Sequence, residues 1–300
     1  MIDERKVIRH ISAATRGSIV AVAQYRSLVQ VWDTGKSKRL SAFKTTLDYG
    51  GTRLAITDKG DLCITGSFNE DGVACYNAET GVEVWRRRDI NTPQRIRISR
   101  HGKYVYCCCE DQQLHILRIK DGASDHLIKK VNDIWESPFN LLRVHEARNS
   151  PFEIFSNDGK LVGKIRPKTF AALDAAFAPD LFCVSEAGGP ISCYDVQSQR
   201  ELWAHPFPKD THALKLGYAE DSGHFTAISC EYVHSGQHHG LVFDIRSGNL
   251  VAQYPLPSEE YSFLPIGDRL LSSSGTIYNS VNGEKITQLE FFPAIPSDAE

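Results

Sequence analysis

Short runs of alternating apolar and polar residues recur along the chain. Each is followed by a turn rich in Asp, Asn, Gly and Ser, and then by a second short run. Alternation with a period of two predicts a half-buried β-strand, and such a turn joins two strands into a hairpin. The hairpins occupy residues 28–43, 72–85, 114–122, 152–165, 191–203, 241–252 and 276–287. No stretch keeps a helical period over three turns, so the sequence predicts an all-β fold.

The hairpins follow one another at a regular spacing. Each contains one aromatic or apolar anchor residue: Trp32, Tyr76, Leu117, Phe155, Tyr194, Phe243 and Tyr278. Successive anchors lie between 35 and 49 residues apart, and a further pair of strands precedes each hairpin. A period of roughly 40–45 residues with four strands per unit is typical of a propeller blade. The sequence therefore predicts a seven-bladed β-propeller of four-stranded antiparallel blades over residues 1–292, with a C-terminal tail at 293–300.

Two segments resemble the repeats of known propeller families. Val31-Trp32-Asp33 carries the dipeptide of WD-repeat propellers, and residues 78–85 (Ala-Glu-Thr-Gly-Val-Glu-Val-Trp) resemble the blades of quinoprotein-type propellers. The Gly-His pair of WD repeats is missing from most units. The resemblance covers the whole chain, and what it implies is the fold alone, because both families support many unrelated functions.

Charge, cysteine content and the lack of targeting signals narrow the possible partners and the cellular location. Lys and Arg number 34 against 37 Asp and Glu, a net charge of −3, which favours neither nucleic acid nor an anionic membrane as a partner. The 8 Cys lie almost entirely in predicted strands, three of them at 107–109, so we expect buried, reduced thiols and no disulfides. No secretory signal and no membrane-length apolar run is present in this sequence, so we expect a cytoplasmic protein. No metal or cofactor is predicted, because the sequence has neither zinc-ligand spacing nor a cofactor-binding motif.

Acidic residues recur where the second strand of a predicted blade ends. They are Glu70, Asp71, Glu110, Asp111, Glu146, Glu186 and Glu231. Such loops share one face of a propeller, so we expect an arc of carboxylates that binds a basic surface of another protein. The alternative is that these carboxylates cap turns or pair with Arg95 and Arg97 on a neighbouring strand.

Two further features are candidates for partner binding. Residues 231–240 form the longest loop of this kind and contain His234 and His238, so we interpret the loop as a recognition element. Its His and Glu spacing matches no zinc pattern, so no metal site is predicted. Trp135 is the one Trp outside the repeat positions, and it either anchors an interface or is buried between blades.

Sequence motifs of catalysis are missing: there is no nucleophile elbow, phosphate-binding loop or dinucleotide fingerprint. We therefore expect a protein that is not an enzyme, a propeller that binds another protein as a scaffold or as an inhibitor. One version of the inhibitor is a bacterial immunity protein that blocks a toxin. The alternative function is an enzyme that acts on a small sugar or lactone in the propeller channel.

Overall fold

The computed structural model describes residues 8–14, 18–24, 28–45, 53–67, 72–99, 101–136, 140–145, 151–156, 161–166, 168, 172–207, 211–231, 237–257 and 263–290. The predicted tail, 293–300, lies outside these ranges. Every regular element within them is a β-strand, which confirms the all-β prediction. None of the described residues belongs to a helix long and apolar enough to cross a membrane.

The chain divides into two compact units, and the first comprises Met1–Asp133 with Gln288–Glu300. Its described strands form three sheets of four. These are β1 Ile8–Ala13, β2 Ile19–Gln24, β3 Leu28–Asp33 and β4 Lys38–Lys44; β5 Arg53–Ile56, β6 Leu62–Gly66, β7 Val73–Asn77 and β8 Glu83–Arg87; β9 Pro93–Ile98, β10 Tyr104–Cys109, β11 Gln113–Arg118 and β12 Ser124–Lys129. Neighbours in sequence are neighbours in the sheet and antiparallel, so every connection is a local hairpin.

The second unit comprises Ile134–Thr287, and the boundary falls inside its first strand. Its described strands form four groups of four. These are β13 Val131–Glu136, β14 Asn140–His145, β15 Phe152–Ser156 and β16 Leu161–Ile165; β17 Ala172–Phe177, β18 Leu181–Glu186, β19 Ile191–Asp195 and β20 Glu201–His205; β21 Thr211–Ala219, β22 His224–Glu231, β23 His238–Asp244 and β24 Leu250–Pro255; β25 Phe263–Ile266, β26 Arg269–Ser272, β27 Thr276–Asn279 and β28 Lys285–Gln288. The predicted four-stranded antiparallel repeat is therefore confirmed, whereas a single domain over 1–292 stays a prediction.

The turn between the third and fourth strands has the same chemistry in several sheets. In the second sheet Asn77 Oδ1 accepts the main-chain N–H groups of Glu79 and Thr80, and Gly81 closes the turn with a φ of +72°. Asp or Asn at this position satisfies the turn, and glycine adopts the positive φ without strain. The equivalent polar residue is Asp195, Asp244 or Asn279 in three later sheets.

The turn glycine also contacts a large side chain on the fourth strand of the preceding sheet. Trp85 of β8 lies against Gly122, and its indole N–H donates to the carbonyl oxygen of Ile119 at 2.7 Å. Trp203 of β20 lies against Gly248 in the same way and donates to a main-chain carbonyl at 3.1 Å. Two further pairs repeat the contact, Phe43 with Gly81 and Tyr254 with Gly283. A side chain on the turn would occupy the space that the aromatic ring fills.

In one such contact the small residue lies on the fourth strand and the large residue lies in the turn. Gly163 stands on β16 at the position of Trp85 and Trp203, and Gln199 stands in the next turn at the position of the glycine. The Gln199 side chain fills the space beside Gly163, and its carboxamide oxygen accepts the N–H of Lys164 at 3.2 Å. Gln199 keeps the turn's positive φ, at +60°. The contact therefore requires one large and one small residue, and either element can supply the large one.

Apolar clusters fill the space between successive sheets of the same unit. All eight cysteines are buried and none forms a disulfide bond, as the sequence predicts. Burial raises the pKa of Cys75 and of Cys109 to about 12, because a thiolate would lose its hydration. Cys75 and Cys109 are therefore small apolar residues of the core rather than reactive groups.

Replacing Gly122 by Ala tests the contact between sheets. A Cβ there would lie 2.7 Å from the indole of Trp85, whereas a Cβ at Gly102 would meet no atom within 4 Å. Both glycines have a positive φ, so each substitution costs roughly 1 kcal/mol of backbone strain. We expect Gly122→Ala to cost about 1–3 kcal/mol more than Gly102→Ala, through overpacking. Urea unfolding of both variants measures the difference, and equal losses would contradict the assignment.

Candidate functional site

Glu110 and Asp111 lie in the turn between β10 and β11, and both are exposed as predicted. The Glu110 main-chain N–H donates to the carbonyl oxygen of Thr92 at 3.1 Å, which fixes the turn against the connection from the preceding sheet. The Asp111 carboxylate accepts the main-chain N–H of Gln113 at 3.1 Å and its side-chain N–H at 2.8 Å. Asp111 therefore organises its own turn while Glu110 presents a carboxylate to solvent.

Glu186, predicted on the same acidic rim, is buried, with 1% of its surface exposed. Its Oε1 accepts the main-chain N–H of Lys168 at 3.1 Å, and the Lys168 ammonium pairs with Glu201 at 2.6 Å. Burial, with these two carboxylates nearby, raises the pKa of neighbouring Tyr194 to about 12. The prediction that Glu186 contacts a partner is wrong, because its carboxylate is buried and accepts the main-chain N–H of Lys168.

The remaining acidic positions do not establish a continuous arc. Glu231 is the last residue of β22, and it belongs to the second unit, whereas Glu110 and Asp111 belong to the first. Glu70, Asp71, Glu146 and His234 lie outside the described residues. The arc therefore stays a prediction, carried in the described part of the chain by Glu110 and Asp111.

His238, predicted in an exposed recognition loop, is instead the first residue of β23 and is only 7% exposed. Its ring meets Phe263 edge-on, with centroids 5.6 Å apart. Burial, with His239 nearby, lowers the pKa of His238, so the imidazole is neutral at pH 7. The prediction of a solvent-facing contact is wrong for this residue because β23 starts earlier than the sequence suggested. No group of three or more His, Cys, Asp or Glu among the described residues is placed to hold a metal.

Trp135 is buried on β13, with 4% of its surface exposed. Its indole N–H donates to Asp174 Oδ1 at 2.7 Å, and Asp174 Oδ2 accepts the main-chain N–H of Leu216 at 2.8 Å. A single carboxylate thus connects the first strands of three successive sheets, β13, β17 and β21. The burial alternative for Trp135 is confirmed, and a role as an interface anchor is wrong.

The outer strands carry a surface that the sequence reasoning missed. All ten large hydrophobic residues that are exposed in the described chain lie on a fourth strand or directly beside one: Leu40, Val82, Val84, Leu127, Leu161, Val162, Leu202, Leu250, Val251 and Ile286. Each fourth strand is an edge strand of its sheet. Exposed apolar side chains on an edge strand can accept another protein chain.

Strand alternation explains these exposed residues. Val84 precedes Trp85, Leu202 precedes Trp203, and in both pairs the Trp faces the next sheet, so the preceding residue faces away from it. The sequence does contain these residues, as an apolar residue before Trp85 and before Trp203. Each looks like part of the strand's buried core until the structure shows what the adjacent Trp packs against.

No protein-family model matches the chain, and no curated protein matches it. Solved structures do match. BamB from Moraxella catarrhalis superposes with a TM-score of 0.58 at 11% identity, covering 91% of this chain and 83% of that one. The computationally designed Ika8 protein gives 0.64 at 16% identity, covering 94% and 86%. U3-55K gives 0.65 at 11% identity, covering 89% and 88%. The likeness shows the fold alone: a β-propeller of four-stranded antiparallel blades.

Replacing Asp174 by Asn tests the connection between the first strands. One N–H donor, from Trp135 or Leu216, would then face an amide NH₂ instead of an oxygen. We expect a loss of about 2–3 kcal/mol in the free energy of unfolding, because both hydrogen bonds are charge-assisted and buried. Asp195→Asn is the control, since Asn serves at the equivalent turn position in other blades. Equal unfolding free energies for the two variants would contradict the account.

Proposed function

We propose that this chain is a non-catalytic, protein-binding propeller whose seven groups of four strands are the blades of a single ring. It acts by occupying the surface of a partner, as a scaffold or as an inhibitor. The observation that carries the proposal is the placement of the exposed large hydrophobic residues, which among the described residues are confined to the outer strands and their immediate neighbours.

Apolar residues on these outer strands support binding, because an edge strand that faces water usually carries charged residues instead. An exposed edge strand with apolar side chains promotes association, and charged residues usually guard against it. Here Leu202 and Val251 are 45% and 55% exposed on two successive edges of the second unit. β24, which holds Val251, is the one fourth strand in the described chain without an Asp, Glu, Lys or Arg. Leaving these residues in water costs free energy that a bound partner would recover.

The proposed partner has a basic contact surface. Glu110 is exposed in the β10–β11 turn beside Asp111, and the two carboxylates create a local negative potential. Such a potential speeds the approach of a positively charged partner, while apolar contacts slow its departure. Exposed carboxylates thus supply steering, and the outer strands supply the contact.

Site-specific photo-cross-linking in the host cell tests the proposal. A benzophenone amino acid at position 202 or 251 should give one adduct of the same mass, because both positions contact the same partner. Position 220 is the control, since Glu220 is exposed in the turn that joins β21 to β22 rather than on a fourth strand. Excess wild-type protein should abolish the adduct at least about tenfold more effectively than a Leu202→Lys variant, which carries a charge into the apolar contact.

Two results would contradict the proposal. One is an adduct that forms equally from positions 202, 251 and 220, because equal cross-linking at the control position indicates non-specific association. The other is a complete lack of adducts at 202 and 251 while the purified chain turns over a small sugar or lactone, which favours the enzyme alternative.

A further inference from the structure

A cysteine and a histidine face each other at one end of the sixth sheet. Cys230 is the next-to-last residue of β22, His238 is the first residue of β23, and the two are directly opposite in the antiparallel register. Opposite residues on antiparallel strands have Cβ atoms roughly 4.5–5.5 Å apart on the same face of the sheet. Both are buried, with exposed fractions of 4% and 7%. The pair therefore brings a thiol and an imidazole together inside the protein.

The imidazole has a ring nitrogen with no hydrogen-bond partner. His238 Nδ1 is buried and makes no hydrogen bond in the structure. A buried polar atom without a partner is rare in native proteins and calls for an explanation, of which a bound ion is one. His115 provides a contrast, because it lies opposite Cys107 in the third sheet but is only half-buried, and its nitrogens are not among the buried atoms that lack a partner.

We propose that Cys230 and His238 bind a monovalent copper ion, Cu⁺. The thiol loses its proton to solvent, the thiolate sulfur coordinates the ion, and a lone pair of the neutral His238 imidazole completes the contact. No electron is transferred, and one proton is released for each ion bound. This inference does not depend on the proposed protein-binding function.

The charge and the surroundings select Cu⁺ over Zn²⁺. A Cu⁺ ion, one thiolate and one neutral imidazole sum to zero charge, whereas Zn²⁺ with the same ligands leaves a net positive charge. His238 packs edge-on against Phe263, which belongs to an apolar cluster that also contains Ile228 and Leu256. An uncompensated charge there is costly, but a neutral complex is not. Thiolate and imidazole are also ligands that suit copper, and Cu⁺ is stable with few of them.

Titration with Cu⁺ held by a chromophoric chelator, on the reduced full-length chain, tests the site. We expect the wild-type chain to take up one equivalent of Cu⁺. We expect His238→Gln and Cys230→Ala each to weaken Cu⁺ binding roughly 100-fold or more, because each removes a direct ligand. His115→Gln and Cys183→Ala are the controls, and both should bind as the wild-type chain does. X-ray absorption of the wild-type complex should show one sulfur and one nitrogen neighbour, from Cys230 and His238.

Three results would overturn the proposal. They are no uptake of Cu⁺ by the wild-type chain at about 50 μM, unchanged affinity in His238→Gln, or a loss of affinity in the controls equal to that in the ligand variants. The X-ray absorption spectrum is recorded on the wild-type complex, so it remains informative even if Cys230→Ala fails to fold. A coordination shell without nitrogen would also overturn the site. Tighter binding of Zn²⁺ than of Cu⁺, with the same two residues required, would contradict the charge argument.

Discussion

The contact between a fourth-strand residue of one sheet and the turn of the next sheet is the constraint on which the rest of the structure depends. A four-stranded antiparallel sheet is held internally by its hairpins, but its alignment with the next sheet depends on contacts that side chains make across the space between them. Here a large side chain enters the space above a turn glycine, and in two cases an indole N–H also bonds the turn's backbone. The direction of that large residue determines which alternate residues of the strand point outward. The exposed Val84 and Leu202 follow directly from the buried Trp85 and Trp203.

Local features of the fold could be predicted from the sequence, because strand alternation and turn chemistry are short-range properties. The hairpin anchored on Tyr76 and the turn around Gly81 need only residues within one repeat. The candidate site could not be predicted in the same way. Trp135 and Asp174 are 39 residues apart, and their contact depends on how two sheets pack. Glu186 resembles every other acidic residue at a strand end, and its burial is decided by the N–H of Lys168.

The two proposals use different consequences of the same architecture. Rigid contacts between sheets leave the outer strands with an outward-facing row of aliphatic residues, which suits association with another protein. Register within the sixth sheet places Cys230 opposite His238, which suits a soft metal ion. The first depends on packing between sheets and the second on pairing within a sheet, so each can fail without affecting the other. Neither requires a catalytic group, and the buried carboxylates of Asp174 and Glu186 have structural partners instead.

The exchanged pair Gly163 and Gln199 allows the most direct test of the central contact. Unfolding free energies of Gly163→Trp, Gln199→Gly and the double variant, with the wild type, form a complete cycle. The double variant recreates the arrangement of Trp85 with Gly122 and of Trp203 with Gly248. The account predicts that Gly163→Trp alone is strongly destabilising, because a Cβ at Gly163 already lies 3.0 Å from the Gln199 side chain. It also predicts that the double variant is at least about 1 kcal/mol more stable than the sum of the single changes. Additive effects of the two substitutions would contradict it.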